Sequence, residues 1–269
     1  MEPNWHPHLH PEDLNQVQIY PIRETIGRLN DLAIHTRPDI QQAVSRIQRE
    51  MHKPTYSLVL AIKRIFRYVN HTKHFKLSFY RNSTLSSNTA ISDILHSYSD
   101  ATWGVHDDDI NISMHSQSGH IHFLFNTPIS WKTQLQRGKA AQSSGEAEYI
   151  ATYHTLTEAV HLQGILHEYG VFQDLSKPLC IYTDSESCIG ISKNPVNRKR
   201  NKHIQLKYHY VRQAVQDNEL ILIHTPAVDN PADIFTKVLR TVKQFVKLRD
   251  LIFNLPLKSI SQITQRYLS

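Results

Sequence analysis

The sequence predicts an α/β protein, a mixed five-stranded sheet with helices packed on it, preceded by a small, mainly helical region. Three observations carry this. Through residues 1–90 apolar side chains recur mostly at helical spacing. From Asn82 to Ser92 the chain turns rich in Ser, Asn and Thr, a linker composition that marks a domain boundary. Beyond it come three strand-like segments, a long helical segment, and then alternating strands and helices.

In the first region Pro38 suits the opening turn of a helix with apolar positions Ile40, Val44, Ile47 and Met51. A second helix follows Pro54, with Leu58, Ile62, Ile65, Phe66 and Val69 on one face. Lys63, Arg64 and Arg67 leave that face as a basic stripe, either a solvated surface or a nucleic-acid contact. His74 to Tyr80 reads as a short strand. The second region, 93–240, opens with strands at Ile94–Ser99, His120–Phe125 and Pro128–Thr133. A helix from Ser144 to Tyr169 should stop at Gly170. Then follow a strand at Leu179–Thr183, helices from Ser185 and around Gln205–Gln216, a strand at Leu220–His224, and a helix near Pro231. Residues 241–269 read as a helical C-terminal tail.

Hydrophobic residues make up 40% of the chain and charged residues 20%, an ordinary globular composition rather than that of a disordered chain. The net charge of +6 suits a polyanionic partner without proving one. Two cysteines, Cys180 and Cys188, are too few for a disulfide framework. No apolar run reaches membrane-spanning length, and the first residues lack a signal-peptide profile. The expectation is an intracellular, cytoplasmic chain, neither membrane-bound nor secreted. Eighteen histidines are scattered without zinc-site spacing.

Four acidic residues stand apart. Asp100, in Ser-Tyr-Ser-Asp-Ala-Thr-Trp, is expected at a strand end beside Trp103. Asp184 closes the strand in Cys-Ile-Tyr-Thr-Asp-Ser, the kind of strand end where α/β sheets bind ligands. Glu146 and Glu148 both fall in the first turns of the long helix. Two residues apart, they point about 200° from each other and cannot serve one site. Glu146, three residues after Ser143, suits a capping box. Glu148 shares a stripe with Ala151, Thr152 and Thr155, which turns it toward the sheet. Asp233 opens a further helix. Singly, each aspartate is as well explained by helix capping or by favourable charge at a helix N-terminus. Together, four converging carboxylates would repel unless divalent cations bound them. Oxygen ligands select Mg²⁺ or Mn²⁺, and two such ions can drive an in-line phosphodiester hydrolysis.

The chain resembles the C-terminal part of the Pol polyprotein of copia-type LTR retrotransposons, where a connection region precedes a ribonuclease H (RNase H) domain. The match runs through Ile26-Gly-Arg-Leu, Thr36-Arg-Pro-Asp-Ile-Gln-Gln-Ala-Val-Ser, Ala61-Ile-Lys-Arg-Ile-Phe-Arg-Tyr-Val and Tyr98-Ser-Asp-Ala-Thr-Trp. It continues through Pro128-Ile-Ser-Trp-Lys, Glu146-Ala-Glu-Tyr-Ile-Ala, Tyr182-Thr-Asp-Ser-Glu-Ser, Lys202-His-Ile, Tyr208-His-Tyr-Val-Arg and Ala232-Asp-Ile-Phe-Thr-Lys. The resemblance implies an RNase H-like fold at 93–240 and a connection region at 1–90. It implies Asp100, Glu148, Asp184 and Asp233 as catalytic residues and ligands of two Mg²⁺ or Mn²⁺ ions, and an RNA/DNA hybrid as the substrate. The RNA strand would be cut endonucleolytically, leaving 3′-hydroxyl and 5′-phosphate ends. Reverse transcriptase or other Pol segments are implied partners, and virus-like particles a possible setting. Two departures follow. Relatives often carry a loop histidine shortly before the last aspartate, whereas Thr225-Pro-Ala-Val-Asp-Asn-Pro-Ala-Asp contains none. His203 is a candidate substitute. No Tyr-x-Asp-Asp polymerase motif occurs, and Asp107-Asp-Asp reads as a charged loop, so polymerase activity is not expected.

The densest basic cluster lies between two helices, in Asn197-Arg-Lys-Arg-Asn-Lys-His. Arg198, Lys199, Arg200, Lys202 and His203 are expected to contact phosphates, with a solvated loop as the plain alternative. Gln142, Ser143 and Ser144 are candidates for reading the RNA 2′-hydroxyl. The order of the acidic residues argues against an integrase, whose glutamate would come last. A catalytically weak or inactive element relic, acting at most as a nucleic-acid-binding module, is the second reading.

Overall fold

The structure, a computed structural model, describes residues 20–52, 54–79, 94–104, 115–137, 140–171, 174–175, 177–193, 202–239 and 241–255, with the backbone alone at 202–205. The chain divides into two compact units, Met1–Leu77 and Ser78–Ser269. The expected linker at 82–92 and the Asp107-Asp-Asp run lie outside the described residues.

In the first unit α1 (Ile22–His35) leads through a 3₁₀ turn (Pro38–Ile40) into α2 (Gln41–Glu50), and α3 (Tyr56–His71) follows. Pro38 opens the turn because it has no N–H to leave unpaired. Thr55 caps α3, its Oγ1 accepting the Leu58 N–H at 3.2 Å. Ile26, Leu29, Ile40, Val44, Leu58 and Ile62 form the core. Arg37 is buried beside it, gripping both Asp39 oxygens at 2.9 and 2.8 Å and donating to Thr72 Oγ1 at 2.6 Å. Tyr68 OH donates to the same carboxylate at 2.6 Å, so the buried charges are paired.

Two expectations fail here. Phe66, expected on the α3 core face, is 37% exposed; one residue past Ile65 it has turned 100° away from the core. Residues 75–79, within the expected His74–Tyr80 strand, form no strand; the Ser78 carbonyl accepts a side-chain hydrogen bond from Thr127 Oγ1 at 2.8 Å and joins no backbone ladder. In the expected basic stripe Arg64 and Arg67 are exposed, whereas Lys63 lies with its Nζ 5.9 Å from the Tyr20 ring centroid.

The second unit is built on five strands: β1 (Leu95–Thr102), β2 (Gln117–Leu124), β3 (Thr127–Leu135), β4 (Leu179–Thr183) and β5 (Leu220–His224), in the order β3-β2-β1-β4-β5. β1 pairs antiparallel with β2 and parallel with β4, so the central strand joins two halves of opposite sense. β2 and β3 are antiparallel, β4 and β5 parallel. This is the RNase H-like mixed sheet that the sequence led us to expect. The connecting helices are α4 (Ser144–Glu168), α5 (Glu186–Lys193), α6 (Lys202–Gln216), α7 (Asp233–Thr236) and α8 (Val242–Ile252). Gly170, at φ +72, ends α4 because the left-handed conformation costs glycine nothing. Leu95, Tyr149, Leu156, Leu179, Ile181, Val211 and Leu220 form the core between α4, α6 and one sheet face. Successive strand residues alternate faces, so Asp100 and its cross-strand partner Gly119 look to the other side, where α7 lies. The final described helix, α8, buries Val246, Leu248 and Ile252, and Asn254 Nδ2 donates to Asn126 O at 2.9 Å. Among the described residues no helix is long and apolar enough to cross a membrane.

Under α4 the sheet buries two histidines. His120 and His122 are 3% and 0% exposed, their rings 5.0 Å apart, and His122 Nδ1 lies 2.7 Å from Ser97 Oγ. Burial, with Lys132 and His154 nearby, pushes His120 down to about 3. A folded-state pKa below the unfolded value of about 6.5 gives stability that is present above that value and lost as pH falls toward the folded one. The stability advantage of the natural chain over a His120→Gln variant should therefore shrink by about 3 kcal/mol between about pH 7 and pH 4. Urea unfolding of both proteins across this range measures it; a constant difference would disprove neutral burial of His120.

Candidate active site

Asp100 lies inside β1, not at its end as expected. Antiparallel pairing with β2 continues two residues further, to Thr102 opposite Gln117. Its carboxylate is 1% exposed; Oδ2 accepts the Thr236 hydroxyl, and Oδ1 has no hydrogen-bond partner. Trp103, expected beside it, turns outward instead and donates its Nε1–H to Ala141 O at 2.7 Å. Asp184 is the first residue after β4 and is half-buried. Capping α5 falls to its neighbour, because Ser185 Oγ accepts the Cys188 N–H at 3.2 Å. Asp184 is thereby left available for other work.

The two glutamates of α4 part as the helical phase demands. Ser143 Oγ accepts the Glu146 N–H at 3.2 Å, and the Glu146 carboxylate reaches back to the Gln142 N–H at 2.9 Å, one residue further than a standard capping box. Glu148 lies on the stripe of Ala151, Thr152 and Thr155, all fully buried against the sheet. Its carboxylate takes a backbone hydrogen bond from Ala101 of β1, while Oε2 has no partner.

Asp233 opens α7 and is 1% exposed. The preceding loop is pinned by Asn230, fully buried, whose Nδ2 donates to Ser99 O and whose Oδ1 accepts the Ala232 N–H, each at 3.0 Å. At the far end of α7, Phe235 O accepts from Gln117 Nε2 at 2.9 Å and Thr133 Oγ1 at 2.8 Å. Gly119 makes the close approach possible. A Cβ there would stand 2.7 Å from Phe235 Cβ and from Thr236 Cγ2.

These supports bring one carboxylate oxygen each of Asp100, Asp184 and Asp233 within 4.8 Å of one another. Glu148 approaches from α4, close enough for Asp100 and Asp184 to act on it. Burial first, then those two charges, hold Glu148 well above the usual carboxylate range. Burial and Asp100 likewise raise Asp233, to about 7, and raise Asp184. Lys237 answers part of this charge, its Nζ 2.9 Å from Asp233 Oδ1 and 3.7 Å from Asp100 Oδ2. Burial works against its charge, yet Asp100, Asp233 and Asp184 together outweigh it and raise its pKa.

The donor set fits a hard divalent cation. All its atoms are carboxylate oxygens, and two buried ones, Asp100 Oδ1 and Glu148 Oε2, lack a protein partner. Raised carboxylate pKa values set protons in competition with an incoming metal.

Of the expected nucleic-acid contacts, Gln142 and Ser144 are exposed beside the start of α4, and Ser143 is half-buried with its hydroxyl engaged as the cap. Arg198, Lys199 and Arg200 lie outside the described residues. Lys202 and His203 fall in the first turn of α6, where the side chains lie outside them too. Nearby Lys207 is described, with its Nζ 5.2 Å from the Tyr153 ring centroid. His224, the last residue of β5, pairs with Thr183 and lies close enough to Asp184 to favour its ionised form.

Sequence reasoning missed Lys237, Thr236, Asn230 and Gly119. The spacing Asp233-Ile-Phe-Thr-Lys237 did carry a signal, since opposite charges four apart on a helix meet.

No protein-family model matches the chain. It is 38% identical over 217 residues to the retrovirus-related Pol polyprotein from transposon RE1 of Arabidopsis thaliana, a stretch covering 81% of this chain and 14% of that polyprotein. It is 34% identical over 227 residues to the corresponding polyprotein from transposon TNT 1-94 of Nicotiana tabacum, covering 84% of this chain and 16% of the relative. The chain thus spans about one seventh of the length of these relatives. Among solved structures, a foamy viral protease-reverse transcriptase in complex with dsDNA superposes with a TM-score of 0.50 at 13% identity, covering 82% of this chain and 42% of that one. Identity is thus sustained across four fifths of the chain, whose homologues are retrovirus-related Pol polyproteins from Ty1/copia-type transposons.

Proposed function

We propose that the second unit is a ribonuclease H that cuts the RNA strand of RNA/DNA hybrids endonucleolytically, with Asp100, Glu148, Asp184 and Asp233 as the ligands of two Mg²⁺ or Mn²⁺ ions. The observation that carries this reading is the gathering of Asp100, Asp184 and Asp233 oxygens within 4.8 Å, with Glu148 close enough for the charges of Asp100 and Asp184 to act on it and with unpartnered buried oxygens on Asp100 and Glu148. Bound there, the cations would activate a water and stabilise the departing 3′-oxygen of an in-line displacement. The chain's own part is placement. Asp100 and Asp233 are held rigidly by β1, Thr236 and the Asn230 clamp, whereas half-buried Asp184 lies at the solvent side, where a phosphodiester would enter.

Discrimination between RNA and DNA would fall to Gln142, Ser143 and Ser144, just ahead of Glu148. Phosphate contacts would fall to Arg198, Lys199, Arg200, Lys202 and His203, making binding strongly salt-dependent. The helical first unit would serve as a connection to reverse transcriptase or other Pol segments. His224 is a candidate stand-in for the loop histidine, because it directly precedes Thr225 and acts on Asp184.

The test is incubation of the whole chain with end-labelled RNA/DNA hybrid, single-stranded RNA and duplex DNA, with Mg²⁺, Mn²⁺ or EDTA. Cleavage of the hybrid's RNA strand alone, abolished by EDTA, is expected. Hybrid binding without cleavage in either metal would instead support a non-catalytic binding module.

A further inference from the structure

We propose that Lys237 is a resident counter-cation that holds the place of a divalent ion and is displaced when that ion binds, so that it sets how much metal the site requires. This rests on reading the four carboxylates as a metal centre.

Lys237 Nζ lies 2.9 Å from Asp233 Oδ1 and 3.7 Å from Asp100 Oδ2. These two residues belong to the trio whose oxygens gather within 4.8 Å. A Mg²⁺ ion needs such oxygens at about 2.0–2.1 Å in near-octahedral geometry. An ammonium at hydrogen-bond distance from Asp233 Oδ1 occupies the approach to that oxygen and supplies the same kind of charge. Both cannot use it fully at once.

The site's construction decides which group moves. Asp100, Asp233 and Thr236 are 1–2% exposed and fixed by strand pairing and by the hydrogen bonds that anchor both ends of α7. Lys237 follows α7 in extended backbone, φ −139 and ψ 158, and its side chain is 37% exposed. Its four-carbon stem can carry the ammonium to solvent without disturbing a ligand. Among the described residues no other cation forms an ion pair with any of the four carboxylates.

Two effects follow from these two ion pairs. Without metal, Lys237 limits repulsion among the carboxylates and keeps them gathered. With metal, its displacement opposes binding, so occupancy responds to changes in divalent-ion concentration rather than saturating at trace levels.

The experiment measures Mn²⁺ binding to the whole chain by the electron paramagnetic resonance of free Mn²⁺, together with melting temperatures with and without Mn²⁺. Lys237→Met keeps the stem and removes the charge; Lys237→Gln keeps a weaker hydrogen bond. The first Mn²⁺ should bind roughly tenfold more tightly to either variant. Metal-free melting temperatures should fall, and saturation with Mn²⁺ should restore them. Unchanged or weaker Mn²⁺ binding in the folded variants overturns the inference while leaving the metal centre standing. Absence of Mn²⁺ binding to the natural chain removes the metal centre itself, and with it the basis of the inference. Should Lys237→Met unfold without metal, the Lys237→Gln titration decides.

Discussion

Asp184→Asn is expected to lower metal-dependent cleavage of an RNA/DNA hybrid by roughly 100- to 1,000-fold, the scale on which loss of one electrostatic contact to a transition state is felt. The same change should raise the melting temperature of the metal-free protein. Asp184 takes no part in capping α5, since Ser185 does that, so its replacement costs no helix stability. Burial and the neighbouring Asp100 raise its pKa. A carboxylate whose folded pKa lies above its unfolded one destabilises the fold once ionised, at neutral pH and above. The amide keeps the shape and removes the repulsion. Rate assays and thermal melts with and without Mg²⁺ make the comparison. Full activity in the variant would sink the proposed mechanism, and a loss of activity matched by a lower metal-free melting temperature would show that Asp184 matters for folding instead.

Gly119→Ala should damage both stability and cleavage although the residue carries no chemistry. The added Cβ would meet Phe235 Cβ and Thr236 Cγ2 at 2.7 Å and Ala232 O at 3.1 Å. Two of these neighbours lie in α7 and the third at its cap, all held from behind by buried hydrogen bonds, so they have little room to yield. Overpacking of this kind costs about 1–3 kcal/mol, and in a unit of this size each kcal/mol lowers the melting temperature by about 2–4 °C. Any retreat of α7 carries Asp233, Thr236 and Lys237 away from Asp100 together, so cleavage should fall further than stability alone predicts. Gly164→Ala is the control. Nothing lies within 4 Å of a Cβ there, and it should stabilise α4 by about 0.5–1 kcal/mol with activity unchanged. A Gly119→Ala protein with normal melting and normal rate would mean that α7 is not fixed against β2.

What could be read from the residues was what depends on period. Helical phase separated Glu146 from Glu148, because 100° per residue is a property of the backbone and needs no tertiary knowledge. Alternation and length located the five strands to within a few residues, and Gly170 marked the end of α4. What stayed hidden depends on partners distant in sequence. β1 outran its expected end because β2 pairs with it through Thr102, and no local pattern announces a pairing partner. Gly119 stands just ahead of the strand expected at His120–Phe125, and nothing local announces that α7 lies on it. Phe66 looked like core because apolar character was read without its exact angle. The Ser185 cap was visible in principle, but Asp184 beside it is an equally good capping residue, and only the geometry separates them.

The order of the strands also bears on how the protein comes to possess its site at all. β1 is made early, yet its partner β4 follows only after the long helix α4, and Asp233 later still, beyond β5. Pairings so distant along the chain form slowly, since much chain entropy is lost before any contact rewards it. The four carboxylates therefore cannot meet in a partial product of synthesis or in a half-folded intermediate. A chain that has not yet closed its parallel half, or that ends before α7, lacks at least one of the four carboxylates at the sheet centre. On the proposed reading, competence to bind metal would thus arrive only when the parallel half of the sheet has closed and α7 has docked on it.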